Sequence, residues 1–207
     1  MFIERLKKKF NVDEPIFTSE ILSLFQEYTR AYVFGFINEA KAAGELVQFD
    51  NGVYYIPKKT IFGLSTITAD DVIRKKYVQN QNDVYGLYSG IKLQNFFSVT
   101  TQMPNTVEVV TNRETTRCRQ IEIDGRKFIL RKSRIPITRD NVNAYTVLQF
   151  FSELGNQPPI DDWARRRVLR FIRQNNVSAG EILNLSAAFP AQAAKNLIQN
   201  GVLNEIA

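Results

Sequence analysis

The side chains best able to do chemistry in this chain of 207 residues are few, and the missing types narrow the field. There is no histidine, so neither a Ser-His nor a Cys-His nucleophile pair can be built. A zinc site would then need a cysteine cluster, which the single Cys118 cannot supply. With no histidine to take its proton, Cys118 reads as a small filler at a strand edge. Glu108, Glu122 and Asp124, together with Lys127 and Lys132, loosely suggest a metal-dependent carboxylate cluster. Asp124 precedes Gly125, however, and a turn accounts for it. The chain has no Walker-type phosphate loop, no GxGxxG and no cysteine pair. Catalysis is not expected, nor is a metal or other cofactor.

The cations are more informative. Lysine and arginine number 27 against 21 carboxylates, a formal net charge of +6. Residues 1–64, 65–112 and 140–207 are each balanced, while residues 113–139 hold nine basic and three acidic side chains. A concentrated basic segment favours a polyanion or an acidic protein surface as partner. Arg113, Arg117, Arg119, Arg131, Lys132 and Arg134 are therefore candidates for a second nucleic-acid or partner contact. The competing reading is a pair of exposed strands kept soluble by charge along the sheet edge. A single cysteine fits a reducing compartment, the N-terminus is charged where a signal peptide needs an apolar stretch, and no segment is apolar enough to span a bilayer. A cytoplasmic location, with no membrane partner, is the expectation.

A DNA-reading module would need elements to hold it, and the first third of the chain supplies them. Residues 2–10 form an amphipathic helix ending in Lys7, Lys8 and Lys9, where cations suit the helix dipole. Thr18 or Ser19 can cap a second helix reaching about Phe25. A third helix begins near Thr29 and ends at Ala43, with Gly44 as its C-terminal cap and Val33, Phe36, Ile37 and Ala40 as its buried stripe. Asn51-Gly52 between two alternating apolar runs predicts a hairpin with a type I′ turn, pairing residues 46–49 with 53–56 and ending at Pro57. Three short helices followed by a hairpin make a winged helix-turn-helix over residues 1–62, whose third helix reads the DNA major groove while the wing reaches the flanking backbone. Arg30, Phe34, Asn38 and Lys41 fall on that helix's outward side, with Thr29 at its start. Arg30 suits a guanine edge or a phosphate, Asn38 an adenine and Phe34 a thymine methyl. Asn51 at the wing tip, Lys58 and Lys59 near the ribbon's base, and Lys7 to Lys9 suit phosphates.

Residues 63–207 read as a mixed α/β domain with a helical tail, so the whole is α+β. Thr68 and Asp71 have capping-box spacing before a helix over 69–78. VYGLY reads as a strand, residues 89–97 as a helix, 106–111 as a strand, and QIEI-DG-RKFILR as a second hairpin. Asp140 is placed to cap a helix with Val142, Tyr145, Leu148 and Ser152 on one face, stopped by Gly155. Three further helices follow over about 161–174, 179–187 and 190–200, the first with Arg166, Arg170 and Arg173 facing outward. Residues 20–37 and 181–198 align without gaps, a weak echo that two amphipathic helix pairs explain.

The stretch FTSEILSLFQEYTRAYVFGFINEAKAAGELVQFDNGVYYIPKKTIFG, followed by YGLYSG, MPNTVEVVTN and FILRKSRIPIT, resembles the AbiEi family of antitoxins from type IV toxin-antitoxin systems and its regulator-like relatives. The likeness spans roughly residues 15–139, and GVYYIPKK and LRKSRIPIT are its most characteristic stretches. It implies a repressor of its own operon, bound through the winged helix to double-stranded DNA at operator repeats; because residues 1–64 carry no net charge, tight binding calls for clustered lysines or for a dimer on DNA. It also implies a second domain that opposes a nucleotidyltransferase-type toxin without a stable complex. The alternative is a winged-helix protein-interaction module with a basic docking face and no catalysis.

Overall fold

The computed structural model describes Phe2–Ile206. The chain divides into two compact units, Met1–Lys75 together with the turn Ile123–Gly125, and Lys76–Glu122 together with Arg126–Ala207.

In the first unit, α1 (Phe2–Lys9) buries Ile3 and Leu6 and carries Lys7, Lys8 and Lys9 in its last turn. A two-residue strand, β1 (Ile16–Phe17), leads directly into α2 (Thr18–Leu24). The expected cap at Thr18 or Ser19 is not what starts α2. Phe17 precedes the helix, with its N–H donating to the Glu20 carboxylate at 2.8 Å. Thr18 is already helical, and its N–H (3.0 Å) and hydroxyl (3.2 Å) both donate to the Gly52 carbonyl. The helix start is thus fastened to the hairpin turn.

Thr29 caps α3 (Arg30–Ala42), accepting the Tyr32 N–H at 3.5 Å. The chain then forms β2 (Val47–Asp50) and β3 (Val53–Tyr55), antiparallel, with a register shift between Gln48 and Asp50. Gly52 takes positive φ (73°) and Asn51 does not, so the turn is not the type I′ predicted from the Asn-Gly pair. The extra residue absorbed by the register shift relieves Asn51 of the left-handed conformation. β3 also pairs with β1, Ile16 opposite Tyr54 and Phe17 opposite Val53, giving a three-stranded sheet in the order β1-β3-β2. Ile16, Ile21, Phe25, Val33, Ile37, Leu46 and Ile56 join Leu6 in one apolar core.

A second hairpin follows, β4 (Lys59–Thr60) with β5 (Gly63–Leu64). The expected capping box forms at α4 (Ala69–Ile73): Thr68 Oγ1 accepts the Asp71 N–H, and Asp71 accepts the Thr68 N–H. The helix does not run straight to residue 78 as predicted, because it widens into a π-helical turn over Arg74–Val78. The first unit extends beyond the boundary expected at residue 62. Tyr55 and Asp13 hold Ser65 at the foot of the second hairpin, and Lys75 is bound to Glu14 (2.8 Å) and Glu20 (3.0 Å).

The second unit is built on a four-stranded sheet in the order β6-β7-β9-β8, formed by β6 (Gly86–Ser89), β7 (Thr106–Thr111), β8 (Cys118–Ile123) and β9 (Arg126–Lys132). α5 (Ile91–Phe96) joins β6 to β7. β6 and β7 run antiparallel and β7 and β9 parallel, with Val107 opposite Phe128 and Val109 opposite Leu130. Asp124 (φ 48°) and Gly125 (φ 72°) both adopt the left-handed region, so this hairpin has the conformation its Asp-Gly pair predicts. Gly86 is needed for close approach, since a Cβ there would lie 2.1 Å from the Tyr77 carbonyl and 2.8 Å from that of Val110.

The helical tail comprises α6 (Val142–Glu153), α7 (Asp162–Gln174), α8 (Ala179–Ser186) and α9 (Ala191–Gln199). Asp140 does not cap α6; Asn141 occupies that position, and its side chain accepts the Thr138 N–H instead. The predicted single buried face of α6 is also too narrow. Ala144, Tyr145, Val147, Leu148, Gln149, Phe150 and Phe151 are all buried, because α6 packs against β6 as well as α7, α8 and α9. No helix among the described residues is long and apolar enough to cross a membrane.

Candidate nucleic-acid interface

On α3, at 3.6 residues per turn, buried Val33, Ile37 and Ala40 fix the core side. The centre of the opposite side is then Ala31, Gly35, Asn38 and Ala42, all exposed. This shifts the outward face from the one predicted. Phe34 is half-buried and packs against the core, the Arg30 guanidinium lies 5.5 Å from its ring centre, and Lys41 donates to the Gln48 side chain at 2.6 Å. Arg30, Phe34 and Lys41 therefore border the buried stripe, while Asn38 stands near the middle of the free face. Tyr32, 66% exposed, and Glu39 flank that face on its other side. Sequence reasoning missed Tyr32 because an aromatic on an amphipathic helix normally marks the buried side. The central residues are small, and nothing lies within 4 Å of where a Gly35 Cβ would be, so a partner's surface can reach the helix backbone.

The hairpin residues are positioned by the backbone bonds around them. Asn51 is exposed at the β2–β3 tip and donates its N–H to the Asp50 carboxylate at 2.6 Å. Lys58 and Lys59 are exposed, but they belong to the start of the β4–β5 hairpin rather than to the ribbon's base. That second hairpin, with Ile61 and Phe62 as its central turn residues, had no reading in the sequence. Gly63 was its one turn signal, and the apolar pair before it concealed the rest.

The basic segment of the second unit is mostly spoken for internally. Arg113 donates to the Lys76 carbonyl (2.9 Å) and stacks on Tyr85, with its guanidinium carbon 3.5 Å from the ring centre. Arg119 binds Glu114 at 2.8 Å and Arg131 binds Glu108 at 2.7 Å. Arg134 places its guanidinium carbon 5.5 Å from the Phe189 ring centre and gives its backbone N–H to the Tyr145 hydroxyl. Among the described residues, Arg117 and Lys132 have no such partner and are exposed. β8 is an outer strand of the sheet and is exposed along most of its length, which fits the edge-protection reading.

Two carboxylates of this unit are strongly perturbed. Glu114 is buried, which alone would raise its pKa, but hydrogen bonds from Thr116 and Arg119 hold it down at about 2. Burial pushes Glu153 up to about 6, against hydrogen bonds from the Gln149 side chain (2.7 Å) and the Gly90 N–H (2.9 Å). Of the loose cluster raised from sequence, Glu108 is committed to Arg131, and Glu122 and Asp124 are exposed. No group of three or more metal-ligating side chains is gathered among the described residues. On α7, Arg166 and Arg170 are exposed without a partner among the described residues, beside exposed Trp163.

No family model, curated protein or solved structure matches the chain.

Proposed function

We propose that the first unit is a winged helix-turn-helix and that the protein is a DNA-binding transcriptional repressor without catalytic activity. The observation that carries this reading is connectivity: α1, β1, α2, α3, β2 and β3 follow in that order, with β1 pairing to the returning strand β3 in a β1-β3-β2 sheet. That arrangement leaves one face of α3 and one hairpin tip without intramolecular cover, which a groove-reading helix with a wing requires. Asn38 reads a base from the free face of α3 and exposed Arg30, at the helix's first turn beside that face, reaches a second, while Asn51, Lys58 and Lys59 meet phosphates. Autoregulation, and an antitoxin role against a nucleotidyltransferase-type toxin, are proposed on the sequence resemblance alone.

The test is retention of duplex DNA from upstream of the chain's own reading frame in a low-salt gel. The wild-type protein is expected to retard it, and the double variant Arg30→Ala, Asn38→Ala to lose about 10²-fold or more in affinity, as two base contacts at 1–3 kcal/mol each imply. Absence of retardation by wild type would end the proposal. One observation favours a second reading: residues 1–64 carry eight basic and eight acidic side chains, and Glu39 borders the free face of α3. On that reading the unit docks a protein, and no DNA is held at any salt concentration.

A further inference from the structure

We infer that the β4–β5 hairpin is an apolar wedge that enters a nucleic-acid minor groove and parts a base step; this rests on the DNA-binding reading above. Ile61 and Phe62 are 92% and 94% exposed, and Leu64 on the same ribbon is 51% exposed. Single apolar side chains on a surface are ordinary, but two adjacent ones at the summit of a turn are not, because Asn, Asp or Gly serve a turn without exposing apolar area.

The tip is held ready rather than loose. Thr60 Oγ1 accepts the Phe62 N–H (3.2 Å) and donates to the Gly63 carbonyl (2.8 Å), and Gly63 takes a φ of 113° that favours glycine. At the foot, Lys58 and Ser65 exchange hydrogen bonds at 2.7 and 2.9 Å, the Tyr55 hydroxyl donates to the Ser65 carbonyl at 3.0 Å, and the Ser65 hydroxyl donates to Asp13. A protruding pair on a fixed stem loses little conformational entropy when it inserts.

Charge selects the occupant. Lys58 and Lys59 stand on the ribbon below the tip, and no carboxylate occurs from Pro57 through Ala69. Isoleucine and phenylalanine backed by cations are the side chains that wedge between base steps from the minor groove, with the cations meeting the phosphates on either side. The hairpin follows β3 after only Ile56, Pro57 and Lys58, so it continues from the strand that forms the proposed wing.

The experiment uses the full chain and its upstream duplex, labelled at both ends for energy transfer and carrying 2-aminopurine at successive steps. Wild-type protein is expected to shorten the end-to-end distance and brighten one 2-aminopurine step. The variant Ile61→Ala, Phe62→Ala should retard the duplex with about tenfold lower affinity, the size of one stacking contact, and lose both signals. Its urea midpoint should match wild type, since both side chains are solvent-exposed. If wild type binds with the duplex straight and stacked, or the variant bends it equally, the wedge is overturned while DNA binding stands. If wild type retains no duplex, both fall. Flotation with phosphatidylserine vesicles, or self-association by sedimentation, abolished in the variant while wild type leaves every base step stacked, would assign the tip elsewhere and overturn the wedge.

Discussion

Glu153 sits in an environment that its identity does not announce. A glutamate at the end of a helix reads as solvated, yet α6 is enclosed and the carboxyl is raised to about 6 by burial. Because the folded-state value lies above the ordinary 4.5, protonation is linked to folding: the favourable contribution is complete below about pH 4.5 and is lost as pH rises through 6. At pH 8 the ionised side chain therefore costs about 2 kcal/mol. Glu153→Gln keeps an acceptor for the Gly90 N–H and should raise unfolding stability by about that much at pH 8 and by almost nothing near pH 4.5. Urea titrations at the two pH values check this, and an equal gap at both would exclude ionisation as the cause. Glu114, held at about 2 by Thr116 and Arg119, behaves oppositely, contributing stability above pH 4.5 that is lost as pH falls toward 2.

At the scale of elements, the helices and hairpins were largely legible, since each depends on neighbours within one or two turns of chain. α3 could be bounded from Thr29 and Gly44, and the Asp124-Gly125 hairpin from its turn pair. What escaped was contact between distant segments. β1 is two residues long and exists only because β3 offers it hydrogen bonds. Lys75 is a similar case: its ammonium reaches Glu14, Glu20 and the Pro15 carbonyl (2.7 Å) and lies 4.8 Å from the Phe10 ring centre. Lys75→Met leaves two partly buried carboxylates without their cation, and the expected loss is about 3 kcal/mol. The wild-type to variant difference in urea midpoint should shrink in acid as Glu14, whose carboxyl is held below the ordinary 4.5 against burial by its bonds to Lys75 and Asn11, takes up its proton. A constant difference would mean that packing, rather than charge, is what Lys75 supplies.

For the whole molecule, the net charge of +6 pointed to residues 113–139, and that inference weakened once geometry was known. Arg119 and Arg131 are spent on Glu114 and Glu108, while Arg113 stacks on Tyr85, so the surplus is not one free patch. The balanced segment 140–207, by contrast, presents exposed Arg166 and Arg170 beside Trp163, with Asp162 one turn before Arg166. If phosphates are met by the first unit, as proposed, Lys58→Gln with Lys59→Gln should flatten the plot of log affinity against log salt by about 2, at roughly 0.9 for each phosphate no longer neutralised. The substitution Arg117→Gln should leave that slope unchanged. Gel titrations across a salt series measure both slopes, and an effect confined to Arg117 would relocate the DNA-binding surface to the second unit.

The sequence by itself determined the α+β class, the order of most elements, the absence of any histidine chemistry and the positions of both main turns, because these follow from composition and from interactions a few residues apart. The tertiary structure decided which charges are free, which side of α3 is open, that β1 joins the hairpin, and that Ile61 and Phe62 stand on a fixed ribbon. Each of those depends on which distant groups meet, and a carboxylate or carbonyl far along the chain leaves no local mark on the residue it will bind.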